Sequence, residues 1–133
     1  MSRLILIATV LFGLFIAWIV YLADTGQDSI FFEVVKVLPL GDKLGHFVLF
    51  GLLALGANLA LKHMGIRWGR WLVPAGALVV FVLAAAEELS QMFVSGRTCD
   101  ITDLLADMAG IVVFTMAGLF LVARKRGKRG GNA

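Results

Sequence analysis

Apolar residues run through this chain in four long blocks, and polar residues are confined to the gaps and the block edges. The blocks span 4–23, 44–61, 71–94 and 101–123. A helix rises about 1.5 Å per residue, so roughly twenty residues cross a hydrocarbon layer of about 30 Å. None of the blocks shows the apolar–polar alternation of barrel strands, so their backbone groups must be satisfied within helices. The pattern predicts an all-α membrane protein in one domain, a four-transmembrane-helix bundle. The first block is too long for the apolar core of a secretory signal, and no small-x-small cleavage site follows Tyr21-Leu22. It is expected to remain as a span.

A shorter apolar stretch, Ile30-Phe31-Phe32-Glu33-Val34-Val35-Lys36-Val37-Leu38, lies between the first two blocks. Its two charges are three residues apart, which reads as a short interfacial helix ended by Pro39 and Gly41. Such a segment covers the first outer loop or acts as a lid. Pro74 is placed in the first turn of the third span, where its missing N–H costs little. Gly51, Gly56, Gly76, Ala106, Gly110 and Gly118 punctuate the spans and allow close approach of helix backbones. Packing within one bundle accounts for Ala106-x-x-x-Gly110 better than dimerisation does.

Composition agrees. Of 133 residues, 60% are hydrophobic and 16% charged, and the mean hydropathy of +0.94 leaves too little polar surface to coat a soluble domain. Cys99 is the only cysteine, which excludes an internal disulfide and a cysteine-based metal cage.

Charge sets an orientation. Arg3, Lys62, Arg67, Arg70, Arg124, Lys125, Arg126, Lys128 and Arg129 fall on one side of a four-span arrangement; Lys36, Lys43 and Arg97 fall on the other. The basic side is expected to be cytoplasmic, which puts both termini inside and the protein in the cell (inner) membrane. All nine acidic residues, Asp24, Asp28, Glu33, Asp42, Glu87, Glu88, Asp100, Asp103 and Asp107, fall in the outer half. The net charge of +3 is therefore no nucleic-acid signature. The basic cytoplasmic tail, 124–133, ends the last span and meets anionic lipid. Trp68 and Trp71 on one side, with Trp18 and Tyr21 on the other, suit interfacial anchoring. His63, in the inner loop, reads as interfacial.

The candidate chemistry lies where polar residues invade the apolar blocks. Ionisable groups at membrane depth cost about 2.5 kcal/mol or more each, so a run of them usually has a role. His46 is sixteen residues from Lys62, Glu88 seventeen from Trp71 and Asp107 seventeen from Arg124. Helix rise then puts all three about 25 Å above the inner boundary. Asp42, Lys43, Gln91 and Asp103 lie about a turn above them, with Arg97 and Asp100 in the connecting loop. Asp100, Asp103 and Asp107 form one helical stripe, and Asp100 or Thr102 suits the N-cap of the last span. Glu87 points about 100° away from Glu88 and is read as snorkelling or meeting another partner.

Three chemistries fit this set. His46 and Glu88 suit general acid–base catalysis, with Asp42, Lys43, Gln91, Arg97, Asp100, Asp103 and Asp107 binding a ligand. Lys43 and Arg97 suit a phosphate or carboxylate. His46, Glu88, Asp103 and Asp107 suit a hard divalent cation, but no metal and no cofactor is expected. A satisfied ion-pair network that locks the bundle is the structural alternative.

These residues carry a resemblance to the VanZ-like family of small membrane proteins. The family pattern of Asp-Lys-x-x-His at the start of a span is met by Asp42-Lys43-Leu44-Gly45-His46. Glu88, Gln91, Arg97, Asp103 and Gly110 stand at the spacings of its second motif, and Asp107 stands where the family usually has Asn. That exchange adds a carboxylate, to be offset by protonation or by Arg97 or Lys43. The resemblance covers roughly residues 40–120. It implies an envelope role, since the family takes its name from a member linked to low-level teicoplanin resistance.

Together these readings predict a polar pocket at the outer leaflet that binds or processes an anionic envelope ligand, a lipid or polyprenyl-phosphate headgroup. Membrane lipid is the expected partner, and a homo-oligomer or larger membrane complex is compatible. The alternative is a non-enzymatic structural subunit or scaffold of an envelope complex. The absence of internal repeats and matched broken helices disfavours transport.

Overall fold

The computed structural model describes residues 2–27, 30–69, 71–95 and 99–130. The elements in chain order are α1 (Ser2–Asp24), α2 (Ile30–Val37), α3 (Gly41–Ala60), β1 (Gly65–Trp68), β2 (Trp71–Pro74), α4 (Ala75–Ser90), a 3₁₀ turn (Gln91–Phe93) and α5 (Ile101–Gly130). Among the described residues, α1, α3, α5 and α4 with its 3₁₀ turn are long and apolar enough to cross a membrane. Many large apolar side chains face outward, among them Leu4, Leu11, Leu14, Val82, Val113 and Phe120. Surface of this kind is tolerated where the surrounding solvent is lipid.

Helix α3 is the hub, packing against α1, α4 and α5, while α4 and α5 also meet each other. The core of Ile16, Phe50, Leu53, Ala54, Ala77, Val80, Ala84 and Ile111 draws on all four long helices. Contacts between α3 and α5 join residues about sixty apart along their whole length, from Lys43–Asp103 through His46–Asp107 to Asn58–Thr115, so these two helices run parallel. Small residues permit the approach. A Cβ on Gly110 would run into the backbone carbonyl of Phe47, and one on Gly51 would meet the Phe114 ring and the Gly110 carbonyl. Phe47 and Phe114 then close the seam edge-to-face at 5.9 Å.

The segment between α3 and α4 departs from the hydropathy pattern. Residues 71–74 form the second strand of an antiparallel hairpin, with Gly65 opposite Pro74 and Trp68 opposite Trp71. The third span therefore starts at Ala75, four residues later than the apolar block, and Pro74 is the residue before the helix. Ile66, Trp68, Trp71 and Val73 favour strands, and Gly69, with φ 59°, supplies a left-handed conformation just after β1. Hydropathy cannot distinguish this run from the start of a span.

At the opposite end α2 matches the short helix expected there, and α3 begins at Gly41, so Asp42 and Lys43 already lie in its first turn. Helix α5 continues through the basic segment to Gly130 rather than stopping where the apolar block ends.

Candidate functional site

Buried polar side chains in the bundle fall into two groups, both anchored on α3. At the hairpin end, Asn58 is fully buried. Its Oδ1 accepts a hydrogen bond from the Ala77 backbone N–H at 2.9 Å, and its Nδ2 donates to Thr115 Oγ1 at 3.0 Å. Helix α4 lacks a side-chain cap of its own because Pro74 precedes it. Asn58 therefore satisfies one of the open N–H groups of α4's first turn, and the Met64 carbonyl takes that of Ala75 at 2.7 Å. Asn58 and Thr115 were not singled out from the sequence. An amide in an apolar span is the signal that marks such a brace.

At the α2 end, α3 presents Lys43 and His46, α4 presents Glu87, Glu88 and Gln91, and α5 presents Asp103 and Asp107, with Asp100 just before it. Lys43 Nζ donates to Asp103 at 2.7 Å and to Asp100 at 3.2 Å, in a half-exposed pairing. Asp100 caps α5: its Oδ1 accepts from the Thr102 backbone N–H at 2.9 Å and from the Thr102 hydroxyl at 2.7 Å. Those two bonds, helped by Lys43, hold the Asp100 carboxyl down at about 2 from its usual 3.8. Asp42 is exposed, within reach of His46 and Asp103. Arg97 lies outside the described residues.

The two neighbouring glutamates of α4 diverge. Glu88 is buried; one carboxylate oxygen accepts from the Asp100 backbone N–H and the other from Gln91 Nε2 at 3.4 Å. It ties the end of α4 to the start of α5, and among the described residues it makes no hydrogen bond to His46. Glu87 is the acidic group beside the histidine. Donor atoms of His46, Glu87 and Asp107 lie within 4.8 Å of one another. Gln91 Nε2 holds Glu87 Oε1 at 2.8 Å. The ring of His46 stacks on Phe50 at 6.1 Å, and its Nδ1 lies 3.0 Å from Asp107 Oδ1.

Asp107 is fully buried. Its counter-group among the described residues is His46, not Lys43, whose ammonium is engaged by Asp100 and Asp103. Among the described residues, Asp107 Oδ2 and Glu87 Oε2 are buried without a hydrogen-bond partner. The structure thus joins His46 to Asp107, Lys43 to Asp100 and Asp103, and Gln91 to both glutamates. The position that spacing alone did not select is Glu87.

The VanZ/LLP1 family model matches residues 4–123. The chain belongs to the VanZ/LLP1 family. The match reaches beyond the motif region at 40–120 and takes in α1, so all four apolar helices belong to the family unit. No curated protein and no solved structure matches the chain. Family membership and the four apolar helices together establish a multi-pass membrane protein with a four-helix, all-α bundle. Within this VanZ/LLP1 framework, Asp42, Lys43 and His46 start α3, Glu88 ends α4, Gln91 opens the 3₁₀ turn, and Asp103 and Gly110 lie on α5.

Proposed function

We propose that this VanZ/LLP1 protein sits in the inner membrane with both termini in the cytoplasm and holds an anionic headgroup of an envelope lipid at the α2 end, in the outer leaflet. The orientation is supported by the nine-to-three distribution of Lys and Arg. Lys43 and Arg97 supply positive charge for a phosphate, and Asp103 orients Lys43. The observation that carries this reading is the half-exposed Lys43–Asp100 pair. An ion pair of this kind is weak in water-accessible surroundings, so a phosphate can replace the Asp100 carboxylate.

Native mass spectrometry of the purified full chain with phosphatidylglycerol, undecaprenyl phosphate and phosphatidylcholine tests it. The anionic lipids should be retained over phosphatidylcholine, and Lys43→Gln with Arg97→Gln should abolish the preference. Equal retention of all three would favour the second reading, a scaffold whose polar groups only brace the bundle. Two contacts favour that reading: Glu88 on the Asp100 N–H, and Asn58 between α4 and α5. The orientation is checked separately with Cys99, which is exposed. A membrane-impermeant maleimide should label it in intact spheroplasts, at alkaline pH because desolvation and the charge of Glu88 push its thiol up. Labelling only after permeabilisation would invert the topology.

A further inference from the structure

We infer that His46, Glu87 and Asp107 form a binding site for one divalent transition-metal ion of the Zn2+ or Mn2+ kind. The inference stands apart from the lipid reading, because it rests on acceptor atoms that no donor among the described residues satisfies. Three elements each contribute one residue: His46 from α3, Glu87 from α4 and Asp107 from α5. Their donor atoms lie within 4.8 Å of one another. Ligands bound about 2.1 Å from a common ion lie about 3.4 Å apart in a tetrahedral set and at most about 4.2 Å apart, so side-chain movements of about an ångström close the set.

The second observation is the state of the carboxylates. Asp107 is fully buried, its Oδ1 engages His46, and its Oδ2 has no partner among the described residues. Glu87 shows the same division, with Oε1 held by Gln91 and Oε2 unpartnered. A buried carboxylate oxygen left without a donor is costly, and one cation shared by both oxygens removes that cost on two helices at once. The surroundings are those of a supported metal site. Gln91 fixes one carboxylate, and the stacked Phe50 ring fixes the imidazole.

Donor chemistry selects the ion. One imidazole nitrogen with two carboxylates suits Zn2+ or Mn2+; Mg2+ and Ca2+ favour all-oxygen shells, and soft ions favour thiolate. A neighbouring set, Asp42, His46 and Asp103, shares the histidine. It is the weaker candidate because Asp103 is already bound by Lys43 at 2.7 Å and Asp42 is exposed.

Titration calorimetry of the untagged full chain in detergent, after chelator dialysis, with ZnCl2 and MnCl2 tests the site. One equivalent of at least one of the two ions should bind per chain, and millimolar MgCl2 should not displace it. Glu87→Gln keeps a neutral acceptor for Gln91 and should weaken affinity at least about tenfold while circular dichroism stays unchanged. His46→Gln should do the same. The bound ion should also raise the melting temperature of the wild type but not of Glu87→Gln. Absence of saturable binding by both ions, or binding that Glu87→Gln leaves intact, would overturn the inference.

Discussion

Helix α3 carries buried polar groups near both ends, and the two sets are built differently. At the hairpin end, both the acceptor and a donor of Asn58 are used, on Ala77 and Thr115. At the α2 end, His46, Glu87 and Asp107 bring an imidazole and two carboxylates together and leave Asp107 Oδ2 and Glu87 Oε2 unpartnered. A closed network stabilises and specifies a bundle. An open one gives up stability for something else; the His63 ring nitrogens, at the hairpin end, are also buried without a partner among the described residues, so the mark of a site is the convergence of an imidazole and two carboxylates and not the open atoms alone. The contrast separates bracing from binding within one helix: Asn58 holds α4 and α5 in place, and His46 sits where those two helices deliver their acids.

The strongest way to break the contrast is to separate α3 from α5. Gly110→Val would drive side-chain atoms into the Phe47 carbonyl, whose backbone cannot yield cheaply. A loss of about 3 kcal/mol is expected, read by unfolding of the purified protein in detergent. Both polar sets should fail together, seen as loss of zinc binding as well as of stability.

Asn58→Leu is the next largest. It leaves the Ala77 N–H and the Thr115 hydroxyl without their shared partner and should lower stability by about 2 kcal/mol. Lipid and metal binding at the far end should be unchanged under conditions where the variant is folded. If binding falls with stability, the two sets are one network and the contrast fails.

The smallest effect concerns Asp100. Its carboxyl is held at about 2 in the folded protein against a usual 3.8, so its contribution is fully present above about pH 4 and is lost as pH falls through about 2. Asp100→Asn should be slightly less stable than wild type at neutral pH, with the two melting curves converging near pH 2. A difference that persists at that pH would mean the side chain acts through packing rather than charge.

Much of the scaffold was legible because lipid imposes one rule, long apolar helices, and α1, α3 and α5 obey it. The start of α4 was not, since Trp71-Leu72-Val73 is as apolar as a span and only its pairing with Ile66 and its neighbours makes it a strand. The α2 end was legible as a level: His46 and Asp107, sixty-one residues apart, do meet. Which of two adjacent glutamates joins them was not, because that depends on the rotation of α4 about its axis. The 3₁₀ turn at Gln91–Phe93 and the capping of α5 draw Glu88 toward Asp100 and leave Glu87 toward His46. The sequence motif favoured Glu88, and spacing within a motif does not reveal which member braces and which faces a ligand. The partner of Asp107 likewise comes from packing, across the parallel α3–α5 seam.

The most direct test of the contrast is the unfolding free energy of Glu87→Gln measured without added metal. Replacing the open acid removes a partly buried charge while keeping an acceptor for Gln91. The variant should be as stable as wild type, or more stable by up to about 1 kcal/mol, while its affinity for the bound ion, Zn2+ or Mn2+, falls. A loss of stability comparable to that of Asn58→Leu would show that Glu87 is a brace like Asn58, and would contradict the reading of the α2 end as a site.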